Sequence, residues 1–184
     1  MTLLILGILL WVAAHYFKRF APDLRARMGT AGKGVIALAI VGGLVLMIIG
    51  YRSAEFINVW YPPAFLTHVN NLLMLLALWV YGSSAAKGAK AWPAYKTRHP
   101  QLLGVKIWAL AHLLVNGDLA SIVLFGSMLA WAVGSVILIN RAEPDWTPPA
   151  AAGAKTYIRL AVISIVLLIV ISAIHYALGV SPFA

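Results

Sequence analysis

Two runs in this chain repeat the same three residue types at the same spacing: Gly7, Trp11 and His15 in the first, Gly104, Trp108 and His112 in the second. Residues four apart stack on one face of a helix, so each run would present a bare glycine, a flat indole and an imidazole in one stripe. That surface suits a planar metal macrocycle. Glycine permits close approach, the indoles cover the ring, and two neutral imidazoles fill the axial positions of an iron. Two imidazoles alone would also take zinc or copper if the rest of the shell allowed it. A chain with 7 Trp and 15 Gly can also produce such an echo by chance. The glycine and tryptophan surface favours a porphyrin.

The chain has 5 histidines. An imidazole in a strongly apolar helix is costly unless something ligates or hydrogen-bonds it. The structural alternative for any one of them is a bond to a backbone carbonyl, or a ring that snorkels to the interface. It fits His175 best, with Ser172 and Tyr176 nearby, and also His99, whose neighbours Arg98 and Pro100 read as a helix start at the membrane surface. Depth complicates the pairing of His15 with His112. Counted from His99, His112 lies roughly 20 Å along a helix, whereas His15 stands just before Lys18. The depths agree if Lys106 marks the interface, which puts His112 about 9 Å in, and if the first helix continues past a snorkelling Lys18. Otherwise His68 is the better partner, and it stays as the alternative ligand. Arg98, Lys106 or Arg19 would pair with acidic groups of a macrocycle at the cytoplasmic surface. Topology marking is the plainer role for these cations, above all for Arg19.

The elements that must carry these residues are membrane helices. Of 184 residues, 62% are hydrophobic and only 10% charged; a soluble domain is nearer half and a quarter. The mean hydropathy is +0.91. With no cysteine there is no disulfide framework, thiolate metal site, covalent haem attachment or cysteine nucleophile. The net charge of +9 comes from basic residues in loops flanking apolar runs. That placement points to topology and anionic lipid, not to nucleic acid.

Six apolar runs have bilayer-spanning character: Thr2 to Phe17, Gly34 to Tyr51, Pro63 to Tyr81, Leu102 to Val115, Leu119 to Ile139 and Tyr157 to Leu178. The expected fold is therefore all-α, a polytopic bundle of about six transmembrane helices forming a single domain over residues 1–184. The fourth run is short. The Asn116-Gly117-Asp118 break after it reads as a tight helical hairpin in which Asp118 caps the next helix. Lys18, Arg19, Arg25, Arg27 and Lys33 follow the first run; Lys87, Lys90, Lys96 and Arg98 follow the third; Arg141 and Lys155 follow the fifth. The intervening loops hold only Arg52. The positive-inside rule then puts both termini on the non-cytoplasmic side of a bacterial inner membrane. Thr2 to Phe17 is expected to be a retained helix, because its charges follow the apolar run and no small-residue cleavage site is evident. Glu143 to Gly153, rich in proline and alanine, reads as a loop.

Arg98-His99-Pro100-Gln101, then Gly104, Trp108, Ala111-His112 and Asn116-Gly117-Asp118, resembles the signature of NnrU-type bacterial membrane proteins, a family that includes plant 15-cis-zeta-carotene isomerase. The likeness covers most of the chain, including a first helix that ends in a histidine and a basic Leu24-Arg25 segment. It is strongest from Arg98 to Trp131 and weak in the last helix. The resemblance implies haem b held by one histidine closing the first helix and one in the Trp-x-x-x-His segment, positions that correspond to His15 and His112. It further implies a redox-dependent isomerisation in the plant enzymes and a link to nitrite and nitric oxide metabolism in the bacterial ones. There is one departure: the plant enzymes have a cysteine three residues before the second histidine, where this chain has Ala109, so it has no thiolate to exchange as a ligand.

Two functions of different class follow. In the first, haem b on His15 and His112 acts on or responds to nitric oxide or a lipophilic polyene, with Trp11 and Trp108 packed on the ring. In the second, the chain is an accessory subunit of a larger membrane complex, with Gly42-Gly43 and Gly126-Ser127 allowing close helix contact and Trp60-Tyr61 and Trp92 at the interfaces. A transporter is disfavoured, since apart from Asp118 no acid lies near a span centre to bind a coupling ion.

Overall fold

The computed structural model describes residues 1–183. Its helices are α1 (Thr2–Phe20), α2 (Pro22–Arg27), α3 (Ala31–Arg52), α4 (Leu66–Gly82), α5 (Pro100–Val115), α6 (Leu119–Ala142) and α7 (Ala154–Ala177). Among the described residues there is no strand, only two isolated bridges, Asn58 to Asp118 and Lys90 to Ala151. The all-helical expectation is therefore met, and each of the six apolar runs becomes a helix. Four of them, α1, α3, α6 and α7, are long and apolar enough to cross a bilayer. The helices α4 and α5, with 17 and 16 residues, extend only about 25 Å at the helical rise and fall short of a ~30 Å hydrocarbon core. Large apolar side chains such as Leu9, Leu38 and Ile169 stand exposed along the helices, the outward surface of a multi-pass membrane protein.

The helices gather into two compact units, the first made of Met1–Tyr61 with Gly117–Ser127, the second of Pro62–Asn116 with the chain from Met128 onward. In the first, α1 and α3 form an antiparallel hairpin whose contacts run through glycine. A Cβ on Gly7 would stand 2.6 Å from the Met47 amide nitrogen and 2.8 Å from the Gly43 carbonyl oxygen. A Cβ on Gly50 would meet the backbone of Leu3 and Leu4. With no side chain in the way, the two backbones approach as small-residue membrane helices do. The loop after α3 is tied to the start of α6: the Val59 amide donates to the Gly117 carbonyl at 2.8 Å and the Leu119 amide to the Ile57 carbonyl at 2.8 Å.

In the second unit α4 packs on both α5 and α7. Gly104 lies against Ala77 and Tyr81, and Gly82 against Leu160. Residues 83–99, expected only as a basic loop, are folded. The Trp79 indole donates to the Trp92 carbonyl at 2.8 Å, and the Trp92 amide donates to the Tyr157 hydroxyl at 3.0 Å. The Lys90 amide donates to the Ala150 carbonyl at 2.8 Å, and the Ala152 amide to the Lys90 carbonyl at 2.8 Å. Ala91 and Ala94 are buried beneath this knot.

Candidate functional site

On α1 the His15 Nδ1–H donates to the Trp11 carbonyl one turn back, at 2.8 Å. A carbonyl only accepts, so Nδ1 carries the proton and, in the neutral ring, Nε2 carries the lone pair. The Trp11 indole leans on the imidazole, with ring centroids 4.3 Å apart. On α5 the arrangement recurs: the His112 Nδ1–H donates to the Trp108 carbonyl at 2.9 Å, and the two rings are 5.2 Å apart. A backbone bond to one ring nitrogen is the usual device that fixes tautomer and orientation when the other nitrogen ligates a metal. Asn116, just past the end of α5, donates its amide to the His112 carbonyl at 2.8 Å and so steadies the last turn.

The carbonyl tie alone is not selective. His175 donates from Nδ1 to the Ile171 carbonyl at 2.8 Å, the structural role expected of it. What distinguishes His15 and His112 is the indole that each shares with its tie. His99 precedes the first turn of α5, and its Nε2–H donates to the Asn140 side-chain oxygen at 2.8 Å. His68, the alternative ligand, lies in the first turn of α4 with its side chain exposed.

Several members of the expected shell have other duties. Gly7 and Gly104 were expected to admit a macrocycle, yet the space beside each is filled by helix. Gly7 abuts Gly43 and Met47 of α3, and Gly104 abuts Ala77 and Tyr81 of α4. The glycines are smooth because a helix crosses there. Arg98 was expected at an acidic edge of the cofactor. Its guanidinium instead lies 4.0 Å from the Glu143 carboxylate and donates to the Pro144 carbonyl at 3.3 Å. Lys106 is half-buried on α5, and Arg19 is in the last turn of α1. The helix α1 continues past Lys18 to Phe20, as the depth argument for His15 required.

Asp118 has the structural role expected of it. Its Oδ1 accepts the Ser121 amide at 2.9 Å, which caps α6, and its other oxygen accepts the Ser121 hydroxyl. Because that hydroxyl gives its proton to Asp118, the Tyr51 hydroxyl must be the donor in its 2.8 Å bond to Ser121. The sequence reading missed this Tyr51–Ser121–Asp118 chain. Only the serine three residues after the cap hinted at it.

Among the described residues no group of three or more His, Asp or Glu side chains is placed to hold a metal ion.

The helices and their apolar surfaces define a multi-pass α-helical membrane protein. The sequence matches the family described as NnrU protein over residues 3–182, nearly the whole chain, and the chain belongs to that family. No curated protein and no solved structure matches it.

Proposed function

We propose that the chain is a haem b protein of the bacterial inner membrane, with six spans, both termini outside the cytoplasm, and His15 and His112 supplying the axial imidazoles. The observation that carries the reading is the matched pair of residues. Each histidine is fixed by an Nδ1–carbonyl bond and packed against the tryptophan that supplies the carbonyl. The donor set fits: two neutral imidazoles with Nε2 as the ligating nitrogen suit iron in a porphyrin. Trp11 and Trp108 would set the ring planes and exclude water. The glycines belong to helix packing and Arg98 meets Glu143; Lys106, half-buried on α5, is the cation that would pair with a propionate.

Bound haem would supply one-electron chemistry and, with an axial position opened, affinity for small diatomic molecules. The protein's part is ligation and a dry setting that a lipophilic substrate reaches from the bilayer. This supports a role in nitric oxide or nitrite metabolism, or in redox-dependent cis–trans isomerisation of a polyene. With Ala109 in place of a cysteine, any change of ligation would have to use an imidazole or an exogenous ligand.

The test is the absorbance of the purified protein, oxidised and dithionite-reduced, beside His15→Ala and His112→Ala. The expected result is a Soret band with sharp reduced α and β bands that both variants lose, while His175→Ala keeps them. A colourless, folded protein from haem-replete cells overturns the reading and makes an accessory subunit of a larger complex the function to pursue.

A further inference from the structure

The connection between α1 and α3 has a defined shape but no core of its own. Pro22 opens α2 at a helix-start position, where its fixed φ and missing N–H cost nothing. Gly29, at φ +56°, makes the left-handed turn that ends it. The Arg25 guanidinium donates to the Gly29 carbonyl at 3.3 Å and folds against Gly32. Yet none of the 6 residues of α2 is buried. So short a helix is marginal in water unless something packs against it. The apolar side chains that should do so point outward, with Phe20 70% and Leu24 54% exposed.

The charges around these two side chains are of one sign. Lys18, Arg19, Arg25, Arg27 and Lys33 face a single acid, Asp23. Lys18, Arg27 and Lys33 are exposed. An apolar pair within a basic, ordered segment at the end of a membrane hairpin is the composition of an interfacial anchor. Clustered Lys and Arg beside a span favour anionic headgroups.

We propose that α2, with the adjoining ends of α1 and α3, is a binding site for anionic phospholipid. Phe20 and Leu24 enter the headgroup–acyl boundary, and Arg25, Arg27 and Lys33 hold the phosphates. The bilayer completes the packing that α2 lacks within the protein. This goes beyond topology marking, because it requires the segment to lie in the membrane surface and not to project from it.

The chain has no native cysteine, so a nitroxide can be placed at one position alone. The full-length protein carrying Leu24→Cys is spin-labelled and reconstituted into vesicles of phosphatidylcholine, with and without phosphatidylglycerol. Label depth is read from relaxation by oxygen against a water-soluble nickel chelate. The expected label lies at the headgroup–acyl boundary and deepens with phosphatidylglycerol. Adding Arg25→Gln, Arg27→Gln and Lys33→Gln should abolish the deepening and weaken retention of phosphatidylglycerol roughly tenfold or more. Lys87→Gln with Lys155→Gln and Arg159→Gln, which removes the same number of charges elsewhere, should leave both unchanged. A label that reads as fully aqueous in both lipids overturns the proposal. So does equal loss in the control, which would mean diffuse attraction, or displacement of the effect by millimolar inorganic phosphate, which would mean a free-anion site. Thermal melts of each variant confirm that the α1–α3 hairpin is intact.

Discussion

At the scale of single residues, an imidazole has two nitrogens, so a structural bond and a ligand role do not compete. His15, His112 and His175 all donate from Nδ1 to the carbonyl one turn earlier, and the chemistry at Nε2 is decided by what surrounds it. Asp118 has a purely structural task that can be measured. Asp118→Ala removes the acceptor of the Ser121 amide and hydroxyl, and should cost about 1–2 kcal/mol as a lost cap, read as a lower melting temperature in detergent. Tyr51→Phe leaves the cap intact and removes only the donor to Ser121, so the expected loss is smaller, about 0.5–1.5 kcal/mol. Asn70 tests the opposite sign. It is buried in α4, it donates to the Asn71 side chain at 3.3 Å, and its own side-chain oxygen has no partner. An orphaned buried acceptor costs about 1–3 kcal/mol. Asn70→Leu, similar in volume, should therefore raise the melting temperature, and a fall would show that the oxygen meets a donor in the membrane.

At the scale of helices, glycine separates two situations that look identical in the sequence. A Cβ on Gly50 would collide with the backbone of Leu3 and Leu4, whereas nothing lies within 4 Å of one on Gly34, in the same helix. Gly50→Ala should force α1 and α3 apart at a cost of about 1–3 kcal/mol. Gly34→Ala should stabilise by roughly 0.5–1 kcal/mol through helix propensity alone. Melting curves of the pair check both signs. The same distinction explains what the sequence made legible. Apolar run length is a local property, so the helices that became α1, α3 and α6 were readable to within a few residues. The apolar run from Pro63 does not start as helix, because the Pro63 and Ala64 carbonyls accept turn bonds from the Leu66 and Thr67 amides, and α4 begins only at Leu66. The helix α2 passed as loop, although Pro22 and Gly29 mark its two ends. The spacing of Gly7 and Gly104 showed a smooth stripe, but which body lies on it is set by tertiary packing, and in both cases it is a neighbouring helix.

At the scale of the whole molecule, α4 and α5 have two possible arrangements: they cross the bilayer, or they enter it and turn back. Their lengths alone favour neither. The residues between them decide the argument, because a re-entrant pair would carry Lys87, Lys90, Lys96 and Arg98 into the hydrocarbon. At roughly 2.5 kcal/mol for each buried cation, that is a penalty of about 10 kcal/mol. The ordered knot of residues 83–99 does little to relieve it. Lys90 donates to the carbonyls of Ser84 and Ala86 and Arg98 meets Glu143, but Lys87 and Lys96 stand exposed. Two short spans, with local thinning of the bilayer to meet them, cost only fractions of a kcal/mol per Å of mismatch. The balance of these costs therefore predicts crossing. Single cysteines at Glu55, Lys87 and Asp145, all exposed, make the test. In intact spheroplasts a membrane-impermeant maleimide should label Glu55→Cys at once, and Lys87→Cys and Asp145→Cys only after permeabilisation. If Lys87→Cys resists labelling even then while Asp145→Cys reacts, the loop is sequestered in the membrane and four helices, not six, cross it.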